Sequence, residues 1–160
     1  MMNKATYSTV EYFKEIEDVE NEQGYQNFLK FVLKYADSFC LSIYKNEKMN
    51  DLEDFYKTKW GYLYDSILDY EYTHESPVTR GPEVMLIYFK IDHITTSFLK
   101  NKTSIYDFKD FLQDKKIYNW LWDLAFIKDN KIFFISCTHE QFCSIDGNVL
   151  ELYHKLTIDN

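Results

Sequence analysis

Residues 84–91 are the most continuous apolar run in the chain: Val84, Met85, Leu86, Ile87, Tyr88 and Phe89, then Lys90 and Ile91. A run of that kind suits a central strand covered on both faces, and a central strand needs neighbours. Around residues 39–44 apolar residues alternate, with Phe39, Leu41 and Ile43 on one side, as in a half-buried strand. Residues 120–127 and 131–136, joined at Asp129-Asn130, read as a hairpin, and residues 141–145 continue or restart a strand.

Helical spacing occupies the intervals. Ser8 with Glu11 forms a capping box, followed by Val10, Phe13, Ile16 and Val19 as a thin stripe ending before Gly24. Tyr25, Phe28, Leu29, Val32 and Leu33 predict a clear amphipathic helix, with Lys30 and Lys34 on another face. Asn50 with Glu53 opens a second box, leading into Leu52, Phe55 and Tyr56. Where that helix stops is open. Trp60, Leu63 and Ile67 would extend it, whereas Gly61 weakens it and residues 66–73 alternate like a strand.

Residues 76–82 contain both prolines and read as a loop. Ser104 with Asp107 predicts a short helix carrying Ile105, Phe108, Phe111 and Leu112 inward. After a turn at Asp146-Gly147, Val149, Leu150, Tyr153 and Leu156 predict a closing helix. The order predicts an α+β fold over residues 1–160 as a single domain: a mainly antiparallel sheet packed with N-terminal and inserted short helices.

Composition limits the chemistry. Thirty of the 160 residues are aromatic (14 Tyr, 13 Phe, 3 Trp), and the formal net charge is -8. A small core is expected to leave many of these rings at the surface, Tyr above all, because its hydroxyl prefers to stay wet. Arg80 is the only arginine, and the densest basic stretch, residues 109–116, interleaves its lysines with Asp110 and Asp114. Phosphate binding wants a basic patch and bidentate clamps, so nucleic acid is not an expected partner. A basic protein surface is.

Four glycines leave no room for a phosphate-cradling loop, and no cofactor is expected. Cys40, Cys137 and Cys143 make an odd count in apolar surroundings, which reads as buried thiols in a reducing compartment. No apolar stretch approaches the roughly 20 residues that cross a bilayer. With no signal-like start, a cytoplasmic protein without membrane contact is expected.

Two Thr-His-Glu triplets, 73–75 and 138–140, carry the residue types of metal and acid–base sites. Neighbours on a strand point to opposite faces, so each triplet offers one group at most to a shared site. No metal site and no catalytic residues are expected on that ground. The alternative is a small metal-dependent hydrolase using His139 and Glu140, with His74 as a further candidate. The acidic residues are the stronger lead. Glu15, Glu17, Asp18, Glu20 and Glu22 form one run. Asp65, Asp69, Glu71 and Glu75 form another, studded with Tyr62, Tyr64, Tyr70 and Tyr72. Interleaved Tyr and carboxylate suits a contact surface, since hot spots favour Tyr and negative rims steer basic partners. Asp65, Asp69, Tyr70, Glu71 and Tyr72 are the candidate contact residues; their alternative is ordinary cover over the core.

From Trp122 to Glu140 an Asp123-Leu124-Ala125-Phe126 strand, a turn, an aromatic strand and a closing His139-Glu140 follow one another. This cadence resembles segments of small bacterial proteins of polymorphic toxin systems, immunity proteins among them, and covers the last third of the chain. Usage rich in Lys, Asn, Ile and Tyr resembles that of an AT-rich bacterial genome. The resemblance implies a stoichiometric inhibitor that plugs or blocks a protein toxin, and the charge balance points to a basic nuclease domain as that toxin. A self-associating structural or regulatory subunit, a homodimer for instance, is the remaining alternative.

Overall fold

The computed structural model describes residues 6–7, 13–44, 52–57, 60–77, 80–108, 123–138 and 140–158. In chain order these form β1 (Thr6–Tyr7), β2 (Phe13–Glu15), α1 (Glu22–Tyr35), β3 (Ser38–Tyr44) and α2 (Leu52–Tyr56). A 3-10 helix (Gly61–Ser66), β4 (Ile67–Glu75), β5 (Arg80–Lys90) and α3 (His93–Lys100) follow. The chain closes with β6 (Asp123–Lys128), β7 (Lys131–Cys137), β8 (Phe142–Asp146) and α4 (Gly147–Ile158). Seven strands make one antiparallel sheet in the order β2-β8-β7-β6-β3-β5-β4. β1 adds a short parallel pairing, Thr6 with Lys131 and Tyr7 with Ile132. The α+β expectation holds.

Alternation sorts the sheet into two faces. On one, Phe39, Leu41, Ile43, Met85, Ile87, Phe89, Leu124, Phe126 and Phe134 meet α1, α3 and α4 in the main core. Phe28 of α1 is its hub, with ring centroids 5.1 Å from Phe134, 6.4 Å from Phe126 and 5.4 Å from Tyr153. The opposite face buries a smaller cluster of Cys40, Val84, Leu86, Tyr88, Ala125, Ile127 and Ile132. Residues 84–89 are buried without a break, as a strand between β3 and β4 with apolar contact on both sides requires.

Asn21 caps α1 by accepting from the Gly24 N–H at 2.8 Å. The hairpin between β6 and β7 turns at Asp129 and Asn130, whose φ values of 50° and 60° are those of a type I′ turn. Asp37 braces it, accepting from the Asp129 N–H at 2.7 Å and from Lys128 Nζ at 3.1 Å.

Several expectations fail, each for a physical reason. The helix opened by Ser8 and Glu11 is not seen at its described end. Phe13–Glu15 instead pairs antiparallel with β8, while Ile16 and Val19 enter the core from irregular chain. Spacing by threes was satisfied there by tertiary pairing rather than by a helix.

The 76–82 loop is shorter than expected, because β5 already begins at Arg80, paired with Glu75. Pro82 is tolerated because it lies beyond the β3 pairing, which reaches only Val84, and inside the register shift between Thr73 and Glu75. The helix beginning at α2 stops at Tyr56, since the chain folds back so that a Cβ on Gly61 would lie 2.0 Å from the Tyr56 carbonyl oxygen. The alternating reading of residues 66–73 is therefore the right one, as β4.

The helix expected at Ser104 and Asp107 is a turn in its described part. Asp107 accepts from the Thr103 N–H and hydroxyl (3.1 and 3.2 Å), and the Ile105 N–H goes to the Val19 carbonyl at 3.0 Å. Ile105 and Phe108 are buried as expected. Ser8, Val10, Glu11, Asn50, residues 109–116 with Phe111 and Leu112, Trp120, Trp122 and His139 lie outside the described residues.

Candidate functional site: the acidic, tyrosine-bearing margin at β4

Ten of the thirteen phenylalanines are buried, so the core takes far more rings than the composition suggested. Tyrosine divides differently. Of eight exposed large hydrophobic side chains among the described residues, five lie between Tyr56 and Tyr72: Tyr56, Tyr62, Leu68, Tyr70 and Tyr72. They sit on α2, on the 3-10 helix and on β4, the strand that follows it. The other three, Phe142, Leu152 and Leu156, lie on β8 and α4.

Among the described residues β4 is the terminal strand, and its pairing with β5 assigns its faces. Tyr70 lies opposite Ile87 and Tyr72 opposite Met85, so both rings are on the helix-bearing side. At 43% and 39% exposure they cover the core margin without entering it, in edge contact with each other at 6.1 Å. Asp69 lies opposite Tyr88 and Glu71 opposite Leu86, on the other side.

Alternation thus divides the expected contact set: two rings on one face, two carboxylates on the other, meeting along the strand's outer edge. Asp65 is exposed on the 3-10 helix just before β4. Tyr56 departs from the expected stripe, being 63% exposed while its neighbour Phe55 is fully buried against Phe89. Its ring stands edge-on to Tyr64 at 5.3 Å. Tyr56 and Leu68 were not legible as surface residues, because one shared an apolar helix stripe and the other falls at the β4 bulge between Ile67 and Asp69.

Two carboxylates at the margin are engaged within the chain. Asp69 Oδ1 accepts from the Tyr70 N–H at 2.8 Å. Glu71 Oε1 accepts from the Tyr88 hydroxyl at 3.3 Å. Burial, the neighbouring Cys40 and Glu71 itself push the Tyr88 hydroxyl well above the ordinary tyrosine range. Glu71 therefore supports the small cluster as well as lining the margin.

The other acidic run, Glu15 through Glu22, is exposed beside β2 at the opposite end of the sheet. Carboxylates occur at both ends, but of the eight exposed apolar groups three lie on β4 and two more on α2 and the 3-10 helix that precede it.

Of the residues of the enzyme reading, His139 lies outside the described residues, and the described pair, His74 and Glu140, lie far apart. His74, on β4, is within 3.9 Å of Glu83, while Glu140 stands just before β8, five strand spacings or roughly 24 Å across the sheet. Cys137 pairs with Phe142 and Cys143 with Ser136, which puts the two sulfurs on opposite faces. Burial pushes the Cys143 thiol up to about 11 and Cys40 higher still, so neither is a thiolate nucleophile at neutral pH. Among the described residues no three His, Cys, Asp or Glu side chains gather as metal ligands, and no helix is long and apolar enough to cross a membrane. A groove of about 660 Å³ between α1 and α4 is lined by Lys30, Phe31, Lys34, Tyr35, Leu152 and Leu156, and brings no acid–base pair together.

No family model matches the chain, and searches of curated proteins and of solved structures each return no match.

Proposed function

We propose that this chain is an immunity protein of a bacterial toxin system. It acts in the cytosol, binding a basic protein toxin of the nuclease kind and neutralising it by occlusion. The contact is the β4 margin, with Tyr70 and Tyr72 as anchors and Asp65, Asp69 and Glu71 as its acidic part. The observation that carries the reading is the clustering of exposed rings and carboxylates in one stretch of a chain whose net charge is -8. Rigid tyrosines give contact area at small entropic cost, and a negative rim speeds encounter with a cationic cleft. A toxin that grips phosphates needs such a cleft.

The test is co-expression with the protein encoded directly upstream, read as cell survival and as a one-to-one complex. Protection by this chain, lost on joint Tyr70→Ala and Tyr72→Ala substitution in a protein that still folds, is expected. Truncating two anchors should weaken binding about 30-fold or more, the scale of a hot-spot loss near 2 kcal/mol. Asp65→Lys with Asp69→Lys should slow association and flatten its salt dependence. A harmless neighbour, or full protection by the double alanine variant, would refute the reading.

A further inference from the structure

We infer that the groove between α1 and α4 binds a small apolar acid, a molecule with an aliphatic body and a carboxylate head, and that Lys30 and Lys34 hold the head. The site lies apart from the β4 margin and does not depend on the immunity reading.

The groove measures about 660 Å³, within the roughly 300–1,000 Å³ of small-molecule sites. Phe31 and Tyr35 line it as a stacked pair, with ring centroids 5.3 Å apart. Tyr153 and Phe133 pack against that pair at 5.3 and 5.0 Å, so the apolar lining is fixed before a ligand arrives. Leu152 of α4 lines it too and is 37% exposed. The stacked rings occupy each other's faces, and Lys128 stands over the Tyr35 ring at 5.8 Å. A ligand therefore meets ring edges and leucine, which suits an aliphatic chain better than an aromatic ring.

Charge selects the head group. Lys30 and Lys34 are exposed at the groove, one helical turn apart, which sets their Cβ atoms about 5–6 Å from each other. Among the described residues the ion pairs are His74 with Glu83, Lys90 with Asp92 and Lys128 with Asp37, so neither groove lysine has a carboxylate. They lack one although the chain carries 26 acidic residues against 18 basic ones. Asp37, Asp129 and Asp146 act on the Tyr35 hydroxyl, so an anion is favoured at the lysines and not at that hydroxyl. The other polar groups of the lining are engaged locally. Asn27 Oδ1 accepts from Gln23 at 3.0 Å, and the Thr157 hydroxyl donates to the Tyr153 carbonyl at 2.8 Å. Two cations beside an apolar lining are what the groove offers, and a carboxylate on an aliphatic body uses both.

The probe is decanoate, titrated below its micellar range into the full chain by calorimetry, with octanoate and octanol alongside. Saturable binding of one decanoate per chain is expected, about fourfold tighter than octanoate, the scale of two half-buried methylenes. Octanoate should bind about tenfold tighter than octanol, which lacks the charge. Lys30→Gln with Lys34→Gln should weaken decanoate about tenfold and leave octanol within about twofold, a split that separates a lost head-group contact from a damaged groove. Leu152→Glu, at an exposed position, should abolish decanoate binding. No saturation by about 1 mM decanoate, octanol binding as tightly as octanoate, or a double glutamine variant that binds decanoate like its parent would overturn the inference. Capture by vesicles of anionic phospholipid without binding of decanoate would overturn it as well.

Discussion

The hydrogen bond from Tyr88 to Glu71 allows the margin's structural and binding contributions to be separated. Tyr88 is 5% exposed, on the face lined by Cys40, Leu86, Ala125 and Ile127. Glu71→Leu removes the hydroxyl's acceptor and strands a donor among apolar groups, a loss of about 1–3 kcal/mol in general. The 3.3 Å distance and the half-buried carboxylate place this case at the lower end, about 1–1.5 kcal/mol. Tyr88→Phe removes the donor instead. Glu71 can then turn to water, so this change should cost only about 0.5 kcal/mol, with the double variant close to it. The cycle therefore predicts a coupling energy of about 1 kcal/mol.

Urea unfolding at neutral pH measures it: with a slope of about 2 kcal/mol/M, Glu71→Leu should lower the midpoint by roughly 0.5 M at constant slope. Coupling within about 0.3 kcal/mol of zero would refute the reasoning, since contacts that share a partner do not add. The alkaline limb supplies an independent check. Burial, aided by Asp107 for Tyr25 and by Cys40 and Glu71 for Tyr88, raises both hydroxyls above their ordinary value. The unfolded chain then ionises first, so their contribution is intact below about pH 10 and is lost as pH rises beyond it. Tyrosinate absorbance from these two residues should appear only with unfolding.

Two further substitutions test the scaffold. Asp92 caps α3, accepting from the Ile94 and Thr95 N–H groups at 2.9 Å each and from the Ser66 hydroxyl at 2.7 Å, so Asp92→Ala should cost about 1–2 kcal/mol by thermal or urea unfolding. Burial alone would raise the Asp92 carboxyl, but the hydrogen bonds from Thr95, Ser66 and Ile94 outweigh it and hold it below the ordinary value. Its contribution is therefore complete above about pH 4 and lost as pH falls through the lowered value; an alanine variant with the same acid limb as the parent would contradict this. Gly24→Ala would place a Cβ 1.6 Å from the Asp18 carbonyl oxygen, in a backbone turn where Asp18 has φ 67°. A loss of about 1–3 kcal/mol or more is expected, and a neutral result would mean that the turn before α1 yields easily.

Local pattern and long-range contact can be told apart residue by residue. Alternation at Phe39, Leu41 and Ile43 predicted β3, helical spacing from Tyr25 to Leu33 predicted α1, and Asp129-Asn130 predicted the hairpin turn. α3 was not anticipated. Its residues, His-Ile-Thr-Thr-Ser-Phe-Leu-Lys, include β-branched and hydroxyl side chains that form helices poorly, and the signal that marks it is the cap from Asp92 with Thr95 three positions on. The Phe13–Ile16–Val19 spacing misled because β8, distant in sequence, offered a pairing partner. Acid and tyrosine in residues 65–72 could be read as a contact surface, but nothing local said that strand alternation would separate them or that Glu71 would bond Tyr88.

The chain alone determined its strand and helix periods, its turn chemistry and its excess negative charge, because these depend on neighbours a few positions apart. Which strand would lie outermost, and so which tyrosines would stay wet, was decided only by the sheet order. Registers such as Asp69 opposite Tyr88 join residues that no sequence window connects, and burial follows from that pairing.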